Sequence, residues 1–352
     1  VILFIGDGAG TGHWTGAAFA ADDLAVRRFP IMGMVETRSS DSKVTDSAAA
    51  ATAYSAGIRT YNGAIGVDPD TNSVPTVLEI ARDRGLATGL VATSSITHAT
   101  PAAFVAHAPS RNMEQEIARQ IVVADVNVVL GGGRRFFDPN RRSDWLDLLS
   151  DIAAKYTYVE TDAELRELDT RGVTKLFGLF AEEHMPAAPT RSPTLPTMTK
   201  AALEVLDHDP DGFFLMVEGS QPDWRAHDNE PLEVVVAEML DLDRAIAVGL
   251  EYQRRHPETL IVVTADHETG GLAVQPPGPN EMTEHDLPMG EASDLVAHYT
   301  TGGHTALMVP LFAAGPGAER FGGIKDNAAI GQLLLEAVQH QPASVTRTGE
   351  QP

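Results

Sequence analysis

Six short runs of apolar, largely β-branched residues, at 1–5, 86–92, 126–130, 213–217, 260–265 and 306–313, constrain this chain more than anything else in it. Each is too brief for a buried helix and none alternates, which is the pattern of strands covered on both faces. Between them lie segments with a 3.6-residue apolar period, at 74–84, 113–123, 145–154, 198–206 and 232–252. Strand runs alternating with amphipathic helices predict a doubly wound α/β fold, with a mostly parallel central sheet and helices on both faces. Two stretches interrupt the alternation. The proline-rich 185–196 reads as an ordered surface connection, and the Gly-, Pro- and acid-rich 275–302 as an excursion near the mouth of the sheet. Neither reads as a separate domain, so residues 1–352 are taken as one.

Charge and composition narrow the function. Lys and Arg number 26 against 49 Asp and Glu, a net charge of −23, which would repel nucleic acid and anionic membrane alike, so neither is expected as a partner. There is no cysteine, which removes disulfides and thiolate metal sites. No apolar run approaches the roughly 20 residues needed to span a bilayer. The opening at Val1, with no initiator methionine, reads as a processed or trimmed product.

In open parallel sheets ligands bind beyond the carboxyl ends of the strands. After 1–5 comes Asp7; after 213–217 come Glu218, Asp223 and His227; after 260–265 come Asp266 and His267. All are oxygen or nitrogen metal ligands. Gly6-Asp7-Gly8-Ala9-Gly10 is not a dinucleotide-binding loop, because His13 stands where a glycine is required and a carboxylate at the strand end would repel a pyrophosphate. Asp7 suits a bridge between divalent cations. Asp223 and His227, four apart, share one helical face and can hold one cation.

Asp46-Ser47 precedes an alanine run, which puts Ser47 at a helix N-terminus, where unpaired N–H groups favour an alkoxide and an attached phosphoryl group. With no Gly-x-Ser-x-Gly elbow, a metal is the better activator of this hydroxyl. Thr100 offers a hard oxygen, and Arg111 a planar fork able to grip two phosphate oxygens. Glycines beside His304 allow close backbone approach. Taken singly, each has an ordinary alternative: an Asp-Gly turn, a helix cap, a surface arginine, a polar loop.

Together, Gly6-Asp7-Gly8, Asp46-Ser47-Ala48, His98-Ala99-Thr100-Pro101 with Ser110-Arg111, Glu218-Gly219, Thr264-Ala265-Asp266-His267 and Gly303-His304-Thr305 resemble the alkaline phosphatase family, in its order, from Val1 to about Val309. The resemblance implies hydrolysis of phosphate monoesters through a phosphoserine on Ser47. It implies one Zn2+ on Asp223, His227 and His304, a second on Asp7, Asp266 and His267 completed by Ser47, and Mg2+ on Asp7, Thr100 and Glu218. Arg111 would clamp the phosphate. His98 and Trp224 would lie near the substrate, at positions where the family often has Asp and Lys or His, and Trp224 is expected to loosen product phosphate. The excursion at 275–302 would be a short crown-like insertion. A homodimer and a periplasmic or secreted location follow from the same resemblance. The rival readings are a phosphodiesterase of the same superfamily and a non-catalytic metal- or phosphate-binding protein.

Overall fold

The computed structural model describes residues 1–276 and 295–339. The strands are β1 (Ile2–Gly6), β2 (Ile31–Glu36), β3 (Ala87–Ser95), β4 (Val128–Gly132), β5 (Thr157–Val159), β6 (Leu176–Leu179), β7 (Phe213–Gly219), β8 (Ile261–Thr264), β9 (Glu268–Thr269), β10 (Ala273–Gln275), β11 (Val296–His298), β12 (His304–Thr305), β13 (Val309–Ala314) and β14 (Gly323–Asp326). The helices are α1 (Thr11–Ala20), α2 (Ser47–Ala56), α3 (Val77–Asp83), α4 (Ala99–Ala102), α5 (Glu114–Ala124), α6 (Leu148–Lys155), α7 (Asp162–Glu167), α8 (Leu195–Leu206), α9 (Gln221–His227), α10 (Leu232–Arg255) and α11 (Asn327–Gln339).

Ten strands form one sheet in the order β14-β2-β13-β8-β1-β7-β3-β4-β6-β5. All pair in parallel except β13, which runs antiparallel to β2 and β8. The expected α/β architecture and mostly parallel sheet are therefore present. β1, β3, β7 and β8 are buried at every residue, which is why their sequences are mostly apolar and do not alternate. α8 and α10 pack together over one face of the sheet, with α1 against α10. α2, α3 and α11 pack together over the other.

The 185–196 segment departs from its reading as a surface connection. It is ordered, but Arg191 within it is buried, and its guanidinium donates to Glu238 and Asp241 of α10 at 2.7 Å each. Prolines suggested the surface because they lack a donor; the segment instead dips inward, and two acids neutralise the cation it buries. The greater part of the crown-like insertion lies outside the described residues; its flanks pair as β10 with β11.

The centre of the sheet positions the site. β1 lies between β7 and β8, with Ile5 in register with both Glu218 and Thr264. The three strands end together, and their next residues share one rim.

Candidate metal centre

Asp7 leaves β1 through a tight turn held at both sides. Its N–H donates to the Gly219 carbonyl at 3.0 Å, and the Gly8 N–H donates to Asp266 Oδ1 at 3.1 Å. Gly8 has φ +70°, and a Cβ there would lie 2.8 Å from the Cα of Asp223 and from Thr269 Oγ1. Glycine is thus what lets the Asp7 turn press against α9.

Three groups of ligand-type side chains converge: Asp223 with His227 and His304, Asp7 with Asp266 and His267, and Asp7 with His98 and Glu218. In the first, Asp223 Oδ1 is 3.3 Å from His227 Nε2 and 3.5 Å from His304 Nε2, and the two nitrogens are 3.1 Å apart. The outer nitrogens face carbonyls, His227 Nδ1 to Gly302 at 2.8 Å and His304 Nδ1 to Thr45 at 2.9 Å. Donation to those carbonyls leaves both Nε2 lone pairs aimed at the same space, an arrangement that needs a cation between them. Without a metal a proton must serve, and Asp223 accordingly pushes His227 up to about 9. Burial works against the Asp223 charge, but the His227, His267 and His304 imidazoles outweigh it and hold the carboxyl below its usual range.

The second and third groups are buried carboxylates in want of positive charge. His267 Nε2 lies 3.5 Å from Asp7 and 3.2 Å from Asp266. Burial, reinforced by the neighbouring carboxylates, raises Asp7 well above its ordinary value; burial raises Asp266 to about 6 and Glu218 to about 7. Both oxygens of Asp7, Asp266 Oδ2, Glu218 Oε1, Thr100 Oγ1 and His98 Nδ1 are buried without a hydrogen-bond partner. Buried polar atoms are almost always satisfied, so a cluster of orphans of this kind fits bound divalent cations. Mixed nitrogen and carboxylate donors suit zinc, and oxygen-rich donors magnesium.

Beside these groups, Asp46 caps α2 by accepting the Ala49 N–H at 3.0 Å, which fixes the next residue, Ser47, in the first turn. Ser47 is buried, with Oγ 3.2 Å from His267 Nε2. Arg111 donates from Nη1 to Asp46 Oδ2 at 3.0 Å and from Nη2 to His98 Nε2 at 3.2 Å. Burial and the Arg111 charge bring His98 down to about 3, so its imidazole is neutral. Every site residue expected from the sequence therefore lies in this one neighbourhood, Trp224 included, whose ring meets His98 edge-on at 5.9 Å.

Sequence reasoning had set His98 beside the substrate and not among the ligand-type groups. It missed the hydroxyls of Ser220 and Ser94, which donate to Glu218 Oε2 at 2.6 and 3.3 Å and so leave Oε1 free to face inward. It also missed Thr269, which donates to Asp223. Hydroxyls of this sort carry no sequence signal beyond their place next to a strand end.

The family model described as "Alkaline phosphatase" matches residues 1–300. "Alkaline phosphatase 3" of Bacillus subtilis (strain 168) is 34% identical, over 97% of this chain and 89% of its own. "Streptomycin-6-phosphate phosphatase" of Streptomyces griseus is 36% identical, over 94% and 88%. The solved alkaline phosphatase of the Antarctic bacterium TAB5 superposes with a TM-score of 0.88 at 37% identity, covering 96% of this chain and 97% of its own. A variant of the TAB5 enzyme with Mg bound in its M3 site gives a TM-score of 0.86.

Proposed function

The chain belongs to the alkaline phosphatase family and is a metal-dependent hydrolase of phosphate monoesters, and from that membership we propose that Ser47 is its nucleophile, turning over through a covalent phosphoserine. The observation that carries this reading is the Ser47 hydroxyl, at the α2 N-terminus and 3.2 Å from His267 Nε2, beside carboxylate oxygens that have no partner.

Asp223, His227 and His304 would hold one zinc, and Asp7, Asp266 and His267 a second. Asp7, Thr100 and Glu218 would hold magnesium; His98 lies beside them, but with its Nε2 accepting from Arg111 its Nδ1 carries the ring proton and offers no lone pair. When bound, such ions lower the pKa of the serine hydroxyl, offset the buried carboxylates and stabilise charge on the attacking and leaving oxygens. His267 is not a dedicated base, because its Nε2 faces Asp7 and Asp266 as well as Ser47.

In the first step Ser47 gives up its proton to solvent, its Oγ forms a bond to phosphorus as the bond to the ester oxygen breaks, and the departing alcohol takes a proton from solvent. The N-terminal amides of α2 favour the phosphoryl group on Ser47. Arg111, pinned by Asp46 and His98, keeps its remaining N–H groups for two non-bridging oxygens. In the second step water forms the new bond to phosphorus and Ser47 Oγ is released. Each role assigned above falls on the phosphoryl group and its oxygens and none on the organic part of the ester, which supports broad monoester specificity. One catalytic domain, acting on small phosphate esters outside the cytoplasm, is the setting this implies.

Quenching a reaction in acid and mass-analysing the Ser47 peptide tests the intermediate. A phosphate adduct is expected in the natural protein and none in Ser47→Ala, whose turnover of p-nitrophenyl phosphate should be lost. Turnover of the bis-ester above that of the monoester would favour a diesterase instead.

A further inference from the structure

We propose that His184, which belongs to none of the motifs above, is a positioning residue for the phosphate clamp: its ring completes a three-ring cluster with Trp224 and His98 that sets the imidazole on which Arg111 rests. The proposal rests on the reading of Arg111 as the clamp.

His184 follows the carboxyl end of β6 and reaches the site rim on a segment tied down on both sides. The Met185 N–H donates to the Thr93 carbonyl at 3.2 Å, and Gln221 Nε2 donates to the Met185 carbonyl at 2.7 Å. The Ser95 N–H donates to His184 Nδ1 at 3.0 Å, which leaves that nitrogen bare, puts the proton of the neutral ring on Nε2 and fixes the ring plane. The three rings then touch pairwise. His184 lies tilted against Trp224 with centroids 4.5 Å apart, and edge-on to His98 at 5.6 Å; His98 is edge-on to Trp224 at 5.9 Å. The two edge-on contacts are a favoured geometry for aromatic pairs, and all three separations lie within the range at which rings attract.

Arg111 has two anchors, Asp46 and His98. The Asp46 carboxylate is fixed by capping α2. Among the described residues the His98 imidazole has no hydrogen bond other than the one from Arg111, since its Nδ1 has no partner, so its ring plane is set by packing against Trp224 and His184. Removing the exposed outer ring frees Trp224 to turn, then His98, and the fork loses one of two supports. An arginine that grips phosphate oxygens serves the ester and the product alike, so the loss falls on binding and not on the chemical step.

The test measures KM and kcat for p-nitrophenyl phosphate, and the inhibition constant for inorganic phosphate, in the metal-loaded enzyme. His184→Ala is expected to raise KM and the inhibition constant together by roughly three- to tenfold, the part of its two lost ring contacts that is felt at Arg111, with kcat not reduced. His184→Phe, which keeps a ring, should restore both; His184→Asn, which keeps only an acceptor for Ser95, should not. In an Arg111→Ala background His184→Ala should change neither constant further. Constants that stay within about twofold in His184→Ala overturn the proposal, as does an equal effect with and without Arg111, or rescue by asparagine but not phenylalanine. If Arg111→Ala alone leaves phosphate inhibition unaltered, the clamp reading itself falls and this proposal with it.

Discussion

Gly8 shows how little room the site leaves. Its φ of +70° and the 2.8 Å approach of a would-be Cβ to the Asp223 backbone mean that Gly8→Ala must both strain the turn and displace a ligand-type carboxylate. The expected loss of stability is about 1–3 kcal/mol, seen as a lower midpoint in denaturant. Because Asp223 faces His227 and His304, zinc content per chain should fall as well. A variant with full zinc and unaltered stability would show that the turn relaxes elsewhere. The legibility of single residues followed a simple division. Asp7, Glu218 and Asp266 could be found because each closely follows an apolar run, where an ionisable group is conspicuous. His184 could not, because β6 is only four residues long with a glycine inside it, and gives no apolar run after which to look.

Among the elements, α10 carries an unusual load. Glu238, Asp241 and Asp243 are all buried along it, and the first two share the single guanidinium of Arg191. Arg191→Ala would leave buried Glu238 without its cation and Asp241 with only Arg244, at 3.5 Å, and a stability loss of about 3–5 kcal/mol is expected in chemical denaturation. A change below about 1 kcal/mol would mean that solvent reaches those acids. The same elements explain what could be read in advance. Strands covered on both faces, such as β1, the first half of β3, β7 up to Val217 and β8, show as mostly apolar runs. β2 has one half-exposed face and β14 is an edge with Lys325 and Asp326, so neither stands out. α1, built of Gly, Ala and Thr around His13 and Trp14, has no apolar stripe, and α8 begins three residues before its periodic part, with Pro196 in its first turn.

For the molecule as a whole, the buried acids make stability depend on both pH and metal. Without ions, burial raises Asp266 from 3.8 to about 6 and Glu218 from 4.5 to about 7, and Asp223 raises His227 from 6.5 to about 9. A group whose folded pKa is raised gives its full stabilisation below the unfolded value and loses it as pH climbs through the folded one. These three act in one direction, while the buried His13, His98 and Val1 amino group, lowered to about 4, 3 and 5, act in the other over pH 5 to 8. The share of an acid is therefore read by difference: in metal-stripped protein Glu218→Gln should gain melting temperature relative to the natural chain as pH rises from 5 to 8, in salt of about 0.5 M to screen the surface charge. Zinc and magnesium should stabilise the natural chain, by about 4 kcal/mol for an ion at a thousandfold excess over its Kd. A Glu218→Gln difference that is independent of pH, or melting indifferent to added ions, would contradict a centre made of these residues.

The placement of β1 between β7 and β8 carries a consequence for biosynthesis. The strand that leads to Asp7 is made before its neighbours, which lie more than two hundred residues later, with Ile2 in register with Leu215 and Ile261. At ribosomal speed that interval is on the order of tens of seconds, during which an apolar segment has no native partner on either side. Ion capture at the two zinc groups, which draw on Asp266, His267 and His304, is thus confined to the final stage of maturation, and a chain halted before residue 261 would lack both.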